Sequence, residues 1–331
     1  MKKILLYGSL SMGIICLIYF SWTSKTTIQY SSMIDYTENP IRVFEVDSIV
    51  RANNKSTRIK PGNQSLIYWN DSVGKKTKYV LLYLHGFSAC PMEGDPIHLE
   101  FAKKYNMNMY APLLADHGLN ESEAMINFTG QKFLNSTKDA VKIARAMGDS
   151  LIIMSTSTGS TAALYLASND QNKIHSLICF SPNIKIADSK SFLLSRPWGL
   201  QIARAVKGGN YHSWWAPEAA RPFWHTKYRL ESLVELQFFV ENTMKTEVFK
   251  KVQVPVFVGY YYKDEDHQDK VVSVDAILKM SSELGTKSEK LHVQNIKDAG
   301  SHAMASSFFN KNTNTLFYKI CLFADKVLYL D

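Results

Sequence analysis

The chain has 331 residues, 46% of them hydrophobic, which is enough for one large α/β domain with a sizeable core or for two small domains. Its formal net charge is +8, but the positive residues are scattered, as in Lys75-Lys76 and Lys250-Lys251, with no basic block and no nucleic-acid-binding motif. A nucleic-acid partner is therefore excluded.

The chain opens with Lys2-Lys3 followed by residues 4–22, ILLYGSLSMGIICLIYFSW, which hold no charge. About 20 apolar residues can span a bilayer, whereas signal peptides have shorter apolar cores and a small-residue cleavage site. No A-x-A follows, so residues 1–24 read as a transmembrane anchor. A cleaved signal segment and a buried helix stay open as alternatives. With the lysines held on the cytoplasmic side, the rest of the protein is expected outside the cytoplasm, membrane-anchored, or secreted if the segment is removed. Residues 25–62 are polar and read as a linker followed by lead-in strands.

From residue 63 strands and helices alternate. Residues 66–69 and 80–84 read as strands, 96–105 as a helix, 107–114 as a strand and 131–147 as an amphipathic helix. The apolar run of residues 151–154 flows into Ser155-Thr156-Ser157-Thr158-Gly159 and then a small-residue helix. Strands follow at 177–180, 255–261 and 291–296, with helices over 274–284 and from about residue 306 to the carboxy terminus. This rhythm predicts a mostly parallel, doubly wound sheet covered on both faces. Residues 188–246 interrupt it with helical pieces and no strand pattern. They hold four of the six tryptophans, Trp198, Trp214, Trp215 and Trp224. An insertion there lies at the carboxyl ends of the strands, where α/β sites form. It reads as a helical lid, with Trp198, Trp214 and Trp215 as substrate-lining candidates. Cys16, Cys90, Cys179 and Cys321 fit no disulfide framework, and there is no metal-ligand spacing.

Strand, sharp turn with a central serine, helix is the layout of a nucleophile elbow, although Ser155 stands where G-x-S-x-G has its first glycine. A serine hydroxyl needs a base, usually a histidine oriented by a carboxylate. His302 lies in a Gly-containing loop after the last strand; His267 and His292 are less well placed. After the strand at 255–261, counting along the chain favours Asp264, and the run Asp269-Lys270-Val271-Val272 favours Asp269; Asp266 is a third candidate. His85 sits too early to be the base and reads as a structural hydrogen-bonding residue.

Taken together, LYLHGFSACP, APLLADHG, STSTG, DKVVS and AGSH resemble, in order and spacing, the α/β-hydrolase superfamily, in its carboxylesterase, monoacylglycerol-lipase-like and serine aminopeptidase-like branch. The resemblance spans roughly residues 63–331. It implies Ser157 as nucleophile, His302 as base, Asp269 as its orienting acid, and Phe87 and Thr158 as oxyanion donors, with no cofactor or metal. The expected activity is a serine hydrolase cleaving small-molecule or lipid-like esters with apolar acyl groups. A peptidase or an acyltransferase would use the same residues, with Glu231, Glu235 and Glu241 as candidates for recognising a peptide amino terminus. A non-catalytic binding protein on the same scaffold is the remaining alternative.

Overall fold

The computed structural model describes residues 28–330. Its strands are β1 (Leu66–Tyr68), β2 (Thr77–Leu84), β3 (Asn108–Ala111), β4 (Gly148–Thr156), β5 (Ile174–Phe180), β6 (Tyr211–Ser213), β7 (Lys227–Arg229), β8 (Val256–Tyr260) and β9 (Leu291–Asn295). Seven of them form one sheet in the order β1-β3-β2-β4-β5-β8-β9. All its neighbours are parallel except β1, which pairs antiparallel with β3 at the edge.

The sheet is buried on both faces because the middle of its central strands, residues 80–84 and 151–154, is apolar at successive positions rather than at every second one. Val80, Leu82 and Leu84 of β2 enter one core cluster and Leu81 and Tyr83 the other. In β4, Leu151 and Ile153 face one way and Ile152 and Met154 the other. The helices are α1 (Val46–Asn54), α2 (Ile97–Lys104), α3 (Gly130–Met147), α4 (Thr158–Ala167), α5 (Gly199–Lys207), α6 (Leu230–Thr243), α7 (Thr246–Phe249), α8 (Val274–Glu283) and α9 (Thr313–Phe323). Phe133, Val141, Leu164 and Ile277 bring α3, α4 and α8 onto one face. Phe101 and Ile320 bring α2 and α9 onto the other. The Thr129 side chain caps α3 by accepting from Lys132 N–H, which satisfies one of the unpaired donors of its first turn.

Three expectations are corrected. Among the described residues no strand precedes β1: residues 46–54, expected in lead-in strands, form α1, with Val46 and Val50, four residues apart, buried against the core. That spacing is one helical turn and not the alternation of a strand. The last helix begins at Thr313 and not near residue 306, because Ser306 bridges to Pro96 and Asn310 Nδ2 donates to the Met304 carbonyl, which holds the intervening chain in turns. The segment between β5 and β8 is not wholly helical, since β6 and β7 pair within it as an antiparallel ribbon. The expected membrane segment, residues 1–24, lies outside the described residues. Among the described residues no helix is long and apolar enough to cross a membrane.

Candidate active site

Five segments at the carboxyl ends of β2, β4, β5, β8 and β9 converge on one cavity, as expected where parallel strands end together. The tightest of them joins β4 to α4. Ser157 sits at φ 54°, ψ −118°, a region L-residues seldom occupy. The surrounding hydrogen bonds hold it there: Ser157 N–H donates to the Phe180 carbonyl at 2.9 Å, and its own carbonyl accepts from Ser160, Thr161 and Asn183. Gly159 is required by close approach, because a Cβ there would lie 2.2 Å from the Leu84 carbonyl oxygen. Ser155, at the position usually taken by glycine, is buried, and its hydroxyl pairs with that of Ser160 at 2.9 Å. The extra side chain is thus absorbed by a polar pocket beneath the turn.

The loop after β9 carries His302, whose Nδ1 lies 2.7 Å from Asp269 Oδ2. Asp269 is 4% exposed, and its other oxygen accepts from Val271 N–H at 2.8 Å and Val272 N–H at 3.1 Å. Burial raises its carboxyl pKa, but the His302 charge, the hydrogen bond to it and these two N–H groups outweigh burial and hold it below the usual carboxylate value. For His302, burial opposes the charged form, while the Asp269 carboxylate and its hydrogen bond, with a further contribution from Glu93, lift the imidazole above its ordinary value. Asp264 and Asp266 do not reach this histidine: both are exposed, and Asp264 pairs with His267 at 2.7 Å.

Phe87 and Thr158 line the same cavity as Ser157, Asp269 and His302. Thr158 is the first residue of α4, so its N–H has no partner within the helix. Edge-on packing of the Phe87 ring against His117, Phe128 and Tyr228 fixes its loop. His85 spans that loop, donating from Nδ1 to the Gly86 carbonyl and accepting at Nε2 from Leu114 N–H. Two residues were not singled out from the sequence. Asn183 lines the cavity and donates to the Ser157 carbonyl through its backbone N–H. Glu93, 2% exposed, lines it too and accepts from Gly86 N–H at 2.6 Å. No motif spacing announces Glu93; the only signal is an acid among small and apolar residues in SACPMEGD.

The cavity encloses about 660 Å³ and is walled largely by the inserted segment, through residues such as Leu193, Ile202, Trp214, Leu233 and Leu236. Trp215 also lines it, with 76% of its surface exposed. Trp198 does not: it lies at the start of α5, 62% exposed, outside the lining. Glu231, Glu235 and Glu241 are also outside the lining. Glu231 is held by Arg204 and Arg229, and Glu241 accepts from Ser195 and Gln237. Among the exposed lining residues are Lys190, Lys207 and Lys270, against one acid, Asp188.

The chain has the α/β-hydrolase fold. It superimposes on a structure from a study of LipS and LipT, two metagenome-derived lipolytic enzymes, with a TM-score of 0.63 at 12% identity, over 80% of this chain and 98% of that one. A monoacylglycerol lipase from Paleococcus ferrophilus matches at 0.56 and 11% identity, over 80% and 97% of the two chains. Est1E from Butyrivibrio proteoclasticus, solved with ferulic acid bound, matches at 0.53 and 14% identity, over 83% and 100%. No family model matches the sequence, and no curated protein matches it.

Proposed function

We propose that the protein is a serine hydrolase that cleaves carboxylic esters with apolar acyl groups. The observation that carries this reading is the 2.7 Å pair of His302 Nδ1 and Asp269 Oδ2, lining one cavity with a strained, nearly buried Ser157. Ser157 Oγ attacks the ester carbonyl as His302 Nε2 takes its proton. The Phe87 and Thr158 N–H groups receive the developing oxyanion. The alcohol leaves with the proton from His302, and an acyl-Ser157 ester remains. Water, deprotonated by the same imidazole, attacks that ester; the acid departs and Ser157 is reprotonated. Asp269 orients the imidazole and stabilises its charged form throughout.

The apolar walls support the acyl preference. The lipolytic and esterase activities named for the structural neighbours support ester chemistry. The position of Glu231, Glu235 and Glu241 outside the lining weighs against the aminopeptidase-like alternative, because none of them faces a bound amino terminus there. Labelling with a fluorophosphonate probe tests the reading. Wild type is expected to label and Ser157→Ala not, with turnover of an aryl ester falling by about 10⁶-fold. Equal labelling of both proteins sinks the assignment, and faster turnover of aminoacyl amides than of acyl esters sinks the substrate class.

A further inference from the structure

The short turn Pro91–Gly94 buries a carboxylate beside the proposed nucleophile. Glu93 Oε2 accepts from Gly86 N–H at 2.6 Å and from Tyr83 Oη at 3.3 Å. Tyr83 Oη in turn pairs with Thr156 Oγ1 at 2.9 Å, and Thr156 immediately precedes Ser157. One carboxylate therefore ties the loop that carries Phe87 to the turn that carries Ser157. The two groups flank a single backbone point: a Cβ on Gly86 would lie 3.0 Å from Ser157 Cβ and 3.2 Å from Glu93 Oε1.

We propose that Glu93 is a positioning residue of the hydrolytic site: its buried carboxylate anchors the oxyanion loop through Gly86 N–H, and its charge acts on His302, which lines the same cavity. This rests on the reading of Ser157 and His302 above. A glutamine carbonyl could accept the same two hydrogen bonds without the burial penalty of an ion. What the carboxylate alone supplies is negative charge, and the base that charge acts on is His302. Burial pushes Glu93 up to about 7, while Gly86 N–H, His302 and Tyr83 pull it back. The other titratable groups around it are Tyr83 of β2 and Cys90 of the same loop; Lys60 acts on Cys90, and His98 of α2 packs edge-on against the Tyr83 ring. On its own side His302 also meets Asp269, so two carboxylates bear on one imidazole.

The acidic limb of the kcat/KM profile separates charge from scaffolding. In wild type that limb belongs to the coupled Glu93–His302 pair. Glu93→Gln removes a charge that favours imidazolium, so the limb is expected to move to lower pH by about one unit, with fluorophosphonate labelling at pH 8 retained. Glu93→Asp keeps the charge but draws it back from Gly86 N–H. Its limb is expected to stay at the wild-type position while kcat falls about tenfold, the scale of one lost charged hydrogen bond. A labelled wild type with an unmoved limb in Glu93→Gln overturns the proposal and leaves Ser157 standing. Should Glu93→Gln not fold, a Glu93→Asp enzyme with full kcat overturns it equally. An unlabelled wild type removes the parent reading and this one with it.

Discussion

Asp264 and Asp269 lie five residues apart in one polar loop, yet their surroundings assign them opposite roles. Asp264 is solvated and bonded to an exposed His267. Asp269 is buried, with both oxygens occupied by His302 and two backbone N–H groups. Replacing the two by asparagine is expected to separate them cleanly. Asp269→Asn removes the acceptor that fixes the histidine tautomer and lowers kcat by roughly 10⁴-fold; Asp264→Asn leaves kcat near the wild-type value, as steady-state ester hydrolysis will show. Ser157 and His302 were legible in the sequence because each stands in a local motif at the end of a strand. The choice of acid was only partly legible: the run Asp269-Lys270-Val271-Val272 and the resemblance pointed to Asp269, while counting along the chain favoured Asp264, and which carboxylate meets the histidine depends on how the loop folds back, with Asp269 N–H bonded to the Tyr261 carbonyl. Glu93 carried no spacing signal at all, because its partners, Gly86 N–H and Tyr83 Oη, are brought to it by a turn.

At the scale of elements, the approach of α4 to β2 decides the geometry of the turn. Gly159 lies where a methyl group would overlap the Leu84 and His85 carbonyls, at 2.2 and 2.7 Å. Backbone atoms cannot move aside as side chains do, so Gly159→Ala must push the first turn of α4 off the strand. The expected result is a loss of several kcal/mol of stability, read in a urea titration, together with loss of probe labelling in whatever protein remains folded. The main strands and helices were legible from their periodicity to within a few residues, except for the start of the last helix. The inserted segment was less so. The β6–β7 pairing rests on three residues in each strand, and Arg229 at its end is locked by Glu123 and Glu231, contacts from outside the ribbon. Such short strands have too few positions to show alternation.

At the scale of the whole molecule, two buried carboxylates pull stability in opposite directions with pH. Asp269 is held below its ordinary value, so its contribution is present above the unfolded-state value and is lost as pH falls through the folded one. Glu93 is raised from 4.5 to about 7. The folded chain keeps a proton there that the unfolded chain has released, so stability declines as pH rises from 4.5 towards 7 and then levels off. Glu93→Gln removes that decline. Its stability at pH 8 is expected to exceed that of wild type by up to roughly 3 kcal/mol, seen as a higher Tm, and the two are expected to converge near pH 4. Calorimetry at the two pH values checks this; parallel curves would mean that burial of Glu93 carries no such penalty.

The two-faced sheet follows from the order of residues alone, because apolar strands alternating with amphipathic helices have few other ways to bury their surface. That order also pointed to Ser157 and His302 as the proposed nucleophile and base, through the strand that each one follows. Folding settles the contest between Asp269 and Asp264 for His302, brings Trp214 and Trp215 but not Trp198 into the cavity lining, and lets Glu93 join two loops beside it. Those facts depend on contacts between segments far apart in the chain, and a pattern of neighbours along a sequence does not encode the direction in which a loop turns.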